Sequence, residues 1–223
     1  MSKIDTIVDL QNELNIQTAG KDWTKGYTKE GRKINWFRAI TLEVAEAIDS
    51  LNWKHWKDIS QPHDLENLKI ELVDILHFII SQKITDYGLE KAKELLNNAT
   101  SLFLENQEIL MGEELKKIDP EDITVAQLLE NIIKKTIQNK NAYYEFLIAT
   151  GYLFDINEIL NIYIGKNVLN KFRQEHGYKE GYYKKIWNGK EDNVVMLDII
   201  NKNPNITAKE LYNKLEEEYK KIQ

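Results

Sequence analysis

The chain contains no cysteine among its 223 residues, which excludes disulfide bridges, thiolate metal ligands and a cysteine nucleophile. Only three prolines and ten glycines punctuate it, so few positions are forced out of regular structure, and no stretch shows the alternation of a half-buried strand. A surplus of positive charge is also missing. The formal net charge is −6, the wrong sign for the basic footprint of a protein that grips a nucleic acid polymer. No apolar run approaches the roughly 20 residues of a membrane helix, and Met1-Ser2-Lys3-Ile4-Asp5 lacks the charged-then-apolar pattern of a secretory leader. These absences predict a cytoplasmic location, with no membrane and no nucleic acid polymer as partner. A small anionic substrate stays open, because a bound metal can reverse the local sign of charge.

What is present favours helices. Leu, Ile, Lys, Glu and Asn are abundant, and apolar residues recur at helical spacing along most of the chain. The length suits one large domain or a core with a smaller appended lobe. We expect an all-α fold over residues 1–223, a helical-bundle core with a metal site between two antiparallel acidic helices.

The residues that suggest chemistry lie between Asn35 and Phe78. Glu43 and Glu46 are three apart in Thr41-Leu-Glu-Val-Ala-Glu-Ala-Ile-Asp49, and Glu71 and Asp74 are three apart in Leu68-Lys-Ile-Glu-Leu-Val-Asp-Ile-Leu-His-Phe78. On a helix, each pair shares a face. The second segment is apolar nearly all round, the mark of a buried helix, and ionised carboxylates are costly there unless paired or metal-bound. Four carboxylates from neighbouring helices form a set of hard oxygen ligands suited to Mg²⁺ and the phosphates it carries. The competing reading is two amphipathic helices with solvent-facing acids.

The first helical pattern, residues 3–17, places Gln11 and Asn15 on one face, where side-chain amides could read a base edge or simply face water. Residues 18–33 read as a loop pinned by Trp23 and Tyr27, and Asn35 as the N-cap of the next helix. The linker Asn52–Asp64 interleaves aromatics with cations, His55 and Trp56 among them, fit either to stack on a base or to pack under the loop. Pro62 and Asp64 mark entry to the buried helix. Phe78 lies four residues after Asp74 and could wall the site, whereas His77 reads as a core histidine. Residues 89–118, 123–139 and 142–150 look helical, the last closed by Gly151, and carry no chemical signature. Residues 155–175 form another helix on which Lys166, Asn170 and Arg173 share a face. Residues 174–193 read as a glycine-punctuated, basic and aromatic loop that could order over an anion. Two short helices, 193–201 and 207–221, follow, the second after Pro204 with Asn205 or Thr207 as its start.

The order of these features resembles the dimeric, all-α dUTPases, within the wider all-α nucleoside triphosphate pyrophosphatases. The matching pieces are Gln11 to Asn15, Glu43-x-x-Glu46, Trp53-Lys54-His55-Trp56, Glu71-x-x-Asp74-x-x-His77-Phe78, and Lys166 to Arg173 running into Gly177-Tyr178-Lys179-Glu180-Gly181. The acid pairs alone would fix only the superfamily; the tryptophan turn and the late basic segment are more specific. The resemblance implies hydrolysis of dUTP, and of dUDP, to dUMP by a homodimer, with a mobile part that closes over the nucleotide. It implies two or more Mg²⁺ ions held by Glu43, Glu46, Glu71 and Asp74, with Glu43, in preference to Glu46, acting on a water that attacks the β-phosphorus. It implies uracil reading by Gln11, Asn15, His77, Phe78 and Asn170, with His55 or Trp56 nearby. It implies phosphate contacts from Lys166, Arg173, Tyr178, Lys179 and Lys185. His55 stands at the middle of the tryptophan turn, where the family carries an aromatic residue, so the stacking partner of the base stays open. So do two rival functions: a related pyrophosphatase acting on dCTP or other nucleotides, and a nucleotide-binding helical protein without catalysis.

Overall fold

The computed structural model describes residues 2–58, 60–203 and 206–222. Among them are nine α-helices and one two-stranded hairpin, so the fold is all-α as expected. Pro204 and Asn205, the first of the two starts expected for the last helix, lie outside the described residues. The chain divides into two compact units, Met1–Leu160 and Asn161–Gln223.

The first unit holds α1 (Lys3–Ala19), α2 (Trp36–Asp49), α3 (Leu65–Tyr87), α4 (Leu89–Leu115), α5 (Thr124–Ile137) and α6 (Tyr143–Leu153). Short polar side chains start the three helices that matter most. Ser2 and Asp5 form a reciprocal capping box on α1, Asn35 accepts the Arg38 N–H of α2 at 2.9 Å, and Asp64 accepts the Asn67 N–H of α3 at 3.0 Å. Each cap satisfies an N–H that has no partner within its own helix, an effect of about 1 kcal/mol.

Helix α3 is the centre of this unit. Leu68, Leu72, Val73, Ile75, Leu76, Ile79 and Ile80 are all fully buried, so neighbours cover it on every side, among them α1, α2 and α4. At about 1.5–3 kcal/mol for each such side chain, these residues hold α3 firmly. Helix α2 runs antiparallel along it. Trp36 near its start donates to Thr85 Oγ1 at 3.0 Å, while Ser50 at its end accepts from Asn67 at 2.8 Å.

Helix α6 does not close at Gly151 but runs on to Leu153. A Cβ on Gly151 would come within 2.7 Å of the buried Phe103 ring, so the glycine serves close packing against α4 rather than helix termination.

In the second unit, α8 (Asp192–Lys202) and α9 (Ala208–Lys220) pack together beside the hairpin β1 (Ile186–Trp187) and β2 (Lys190–Glu191). This hairpin falls inside the segment 174–193 that the sequence marks as a loop. Asn188 and Gly189, at φ 49° and 85°, supply the two left-handed residues of the tight turn that matches strand twist. The core of the unit is aromatic: Phe172 meets Trp187 with ring centroids 5.8 Å apart, and Tyr183 stacks on Tyr219 at 5.2 Å. Helix α7 (Ile156–Glu175) contains the boundary between the units.

Candidate active site

Within its apolar sequence, α3 carries one file of polar and aromatic side chains: Glu71, Asp74, His77, Phe78, Ser81 and Thr85. Their spacing of three or four residues keeps them on neighbouring positions of one face. At 1.5 Å per residue, His77 stands roughly 9 Å along the axis from Glu71.

At the Glu71 end, antiparallel packing brings in α2. Glu43, Glu46 and Glu71 each place a carboxylate oxygen within 4.8 Å of the other two. Glu71 is buried, Glu43 half-buried and Glu46 exposed. Asp74 lies one turn farther along α3, half-buried, outside that close group. Asn67 donates to Glu71 Oε1 at 3.2 Å, which holds the carboxylate in one rotamer. Opposite ligands of a Mg²⁺ ion stand about 4.2 Å apart and neighbouring ones about 3 Å, so the three carboxylates could share one divalent cation by closing in on it. Without a cation, unit charges about 5 Å apart repel by about 1 kcal/mol in water and about 3 kcal/mol at an effective dielectric of 20.

Beside the carboxylates opens a cleft of about 680 Å³ whose lining includes Glu46, Glu71, Lys54, Lys57, Asp58 and Asn67. Its floor is the loop between α2 and α3. The Ser60 hydroxyl, the Gln61 amide and the Ser60 N–H bond Asp58 and lower its pKa to about 2, which ties the loop to itself. Lys54 pairs with Asp49. His55 and Trp56 are not among the lining residues. They form an exposed cluster with Trp53, in which the Trp56 ring centroid is 4.8 Å from His55 and 5.4 Å from Trp53.

At the far end of the file sits a buried amide network. Gln11 Nε2 donates to Asn15 Oδ1 at 3.0 Å and to Ser81 Oγ at 2.9 Å. Asn15 Nδ2 donates to the same Ser81 oxygen at 2.9 Å, and Gln11 Oε1 meets His77 Nδ1 at 2.5 Å. All four side chains are at most 5% exposed. Beside them the Phe78 ring, half-buried, faces Trp36 with centroids 6.0 Å apart, and Trp23 meets Trp36 edge-on at 5.8 Å. Thus Gln11 and Asn15 do not form a solvated face. They join His77 in one place, next to an aromatic pair.

A carboxylate cluster at one end of the α3 file and a buried amide network at the other put acidic and hydrogen-bonding groups along one helix. In comparison with protein families, the family described as dUTPase matches residues 3–178, more than three-quarters of the chain. The chain belongs to the all-α dUTPase family. It is therefore a dUTP diphosphatase, an enzyme of a family that generally depends on divalent metal and acts on a small nucleotide. A search of curated proteins finds no match. No helix among the described residues is long and apolar enough to cross a membrane.

The other expected site residues of the enzyme lie in its second unit. Lys166 and Arg173 are buried, Asn170 is half-buried, and Tyr178, Lys179 and Lys185 are exposed. Arg173 bonds Asn170 Oδ1 at 3.1 Å. Arg173 and Lys185 each sit 5.9 Å from the centre of the Tyr178 ring. The unit thus gathers Asn170, Arg173, Tyr178 and Lys185. Arg173 also makes a two-pronged ion pair with Asp192, at 2.8 Å from Nε and 2.7 Å from Nη2. Tyr183 donates to the same carboxylate at 2.8 Å; burial, then the Asp192 charge, push the Tyr183 phenol well above its ordinary pKa.

Three residues of the two clusters escape sequence reasoning. Trp36 has a signal, since it begins the i, i+4, i+8 file that continues through Ile40 and Val44. Ser81 has one too, a hydroxyl four residues after His77 in an apolar helix. Asp192 has none, because only the fold brings it to Arg173.

Proposed function

We propose that the enzyme is a cytoplasmic, Mg²⁺-dependent homodimer that hydrolyses dUTP to dUMP and pyrophosphate, and dUDP to dUMP and phosphate. The observation that carries this reading is the file on α3, with carboxylates at one end and the Gln11–Asn15–Ser81–His77 network at the other. A nucleotide lying along it would place its base on the amides and its phosphates on the acids.

Glu43, Glu46, Glu71 and Asp74 would hold two or more Mg²⁺ ions. When bound, these ions neutralise the charge that builds on the phosphate oxygens. Glu43 then orients the attacking water and takes its proton; its half-burial supports this role over the exposed Glu46. Attack at the β-phosphorus breaks the bond to the α-phosphate oxygen, which leaves dUMP from either substrate. Gln11, Asn15 and His77 read uracil, with Asn170 as a further contact. Phe78, which follows His77 in the chain and packs on Trp36, offers an aromatic surface, and His55 or Trp56 serves as an outer contact. Lys166, Arg173, Tyr178, Lys179 and Lys185 would meet the phosphates. The charge of the four cations, and the neighbourhood that Arg173, Tyr178 and Lys185 share, support that role.

A panel of deoxynucleoside di- and triphosphates, assayed with Mg²⁺ for pyrophosphate and phosphate release, tests the reading. We expect dUTP and dUDP to be turned over and dCTP and dTTP to be poor substrates. Preference for dCTP would assign the site to another pyrophosphatase, and binding without product release would deny catalysis. Asn15→Ala gives a second test. It should weaken dUTP binding by roughly tenfold or more, the effect of losing a buried hydrogen-bonding group, with inorganic pyrophosphate inhibition unchanged. Equal losses for both ligands would make Asn15 structural.

A further inference from the structure

We infer that Ser81 is the positioning residue that sets which base the enzyme accepts, by locking the polarity of the amide network. The inference rests on the uracil-reading role proposed for Gln11 and Asn15.

The argument is one of hydrogen-bond capacity. A serine hydroxyl has one hydrogen to give and two lone pairs to receive. Ser81 gives its hydrogen to the His77 carbonyl oxygen at 2.8 Å. It receives the amide N–H groups of Gln11 and Asn15, each at 2.9 Å. All three capacities are used, and Ser81 is fully buried. Toward the two amides, therefore, Ser81 acts only as an acceptor. An amide turned over would point its carbonyl oxygen at a lone pair.

The consequence spreads through three side chains. Asn15 must keep Nδ2 on Ser81, which leaves Oδ1 to accept from Gln11. Gln11 must keep Nε2 inward, and both its amide hydrogens are then used, one on Ser81 and one on Asn15. Its Oε1 is left to face His77 Nδ1, so that nitrogen carries the proton. One hydroxyl thus fixes two amide orientations and a histidine tautomer.

Orientation matters because uracil and cytosine differ in hydrogen-bond polarity. Uracil offers a carbonyl acceptor where cytosine offers an amino donor, and their ring N3 atoms are donor and acceptor respectively. An amide rotated by half a turn exchanges its donor and acceptor, so a network free to rotate can serve either base. A network held in one polarity leaves the wrong base with buried groups unpaired.

The test compares kcat/KM for dUTP and dCTP in the wild type, Ser81→Ala, Ser81→Cys and Asn15→Ala, with thermal melting to confirm folding. In Ser81→Ala the acceptor is gone, and we expect the dUTP-to-dCTP ratio to fall by roughly ten- to a hundredfold, through KM more than kcat. Ser81→Cys keeps a group of similar volume but a weak acceptor, should lower the ratio in the same direction, and decides the matter if the alanine variant does not fold. If both serine variants fold and keep the wild-type ratio while Asn15→Ala loses it, Ser81 has only a packing role and the inference fails alone. If Asn15→Ala also keeps the ratio, the uracil-reading role itself fails and takes the inference with it.

Discussion

Glu71→Gln should abolish turnover, with a fall in kcat/KM of about 10²–10³-fold or more, while the fold survives. The magnitude is that of removing one preorganised group that stabilises the charge of a transition state, here a metal ligand rather than a direct donor. Glu71 is buried at 8% exposure on α3, the helix whose apolar side chains form the core of the first unit, and its carboxylate oxygen lies within 4.8 Å of those of Glu43 and Glu46. Glutamine keeps the volume and one oxygen for the Asn67 amide, but removes the charge that holds a cation.

The apo protein should not suffer, because three carboxylates this close repel by about 1–3 kcal/mol per pair, and the substitution removes two of the three repulsions. We therefore expect the variant to melt no lower than the wild type without metal. Added Mg²⁺ should raise the melting temperature of the wild type and have a much smaller effect on the variant, since only a ligand bound to the folded state stabilises it. Near-normal dUTP hydrolysis by Glu71→Gln would remove Glu71 from the metal site. A metal-free variant melting well below the wild type would make Glu71 a packing residue.

Much of this site is legible in the order of the residues, for a physical reason. Burial costs make an acid in an apolar helix conspicuous, so Glu71 and Asp74 stand out from their neighbours, and helical period places each pair on a face. Antiparallel pairing of α2 and α3 then follows from two helices joined by a short linker. Gln11 and Asn15 are harder. Their i, i+4 spacing fits a solvated face as well as a binding one, and only the packing of α1 against α3 decides between them. The hairpin at Ile186–Glu191 is hidden because strands of two residues carry no periodicity; its signal is the Asn188-Gly189 dipeptide alone. Gly151 misleads for the opposite reason, since a glycine near a helix end resembles a stop, and its function is contact with the ring of Phe103, far earlier in the chain. The Arg173–Asp192 pair is beyond reach, because nothing in the sequence matches those two side chains until the second unit folds.

That pair gives the other large effect. Asp192→Ala should lower stability by about 3–5 kcal/mol, the usual result of removing one partner from a buried ion pair. Asp192 is 0% exposed and Arg173 7%, and the carboxylate also accepts from Tyr183. Its loss leaves a buried guanidinium and a phenol without that acceptor. For a chain of this length, such a change corresponds to a drop in melting temperature of about 10 °C. Asp192→Asn, which keeps an acceptor but not the charge, should fall between. The double variant Arg173→Met with Asp192→Leu should recover much of the loss, because neither charge then remains buried. Urea denaturation followed by the fluorescence of the buried Trp187 would measure all three. A loss under about 1 kcal/mol in Asp192→Ala would mean that the variant does not leave Arg173 as an uncompensated buried charge, and the pair would not be what stabilises this unit. The pH dependence has a fixed sign. Tyr183 has its pKa raised in the folded state, so its contribution is complete below about pH 10, the unfolded value, and declines as pH rises beyond it. The same pair governs how Arg173 is to be tested as a phosphate contact. Arg173→Ala breaks the pair and lowers the folded fraction whatever the residue does to substrate. Only kcat/KM measured per folded molecule, set beside Asp192→Ala, separates the two roles: a contact with phosphate makes the arginine variant the worse enzyme, whereas a purely structural pair makes the two variants equal.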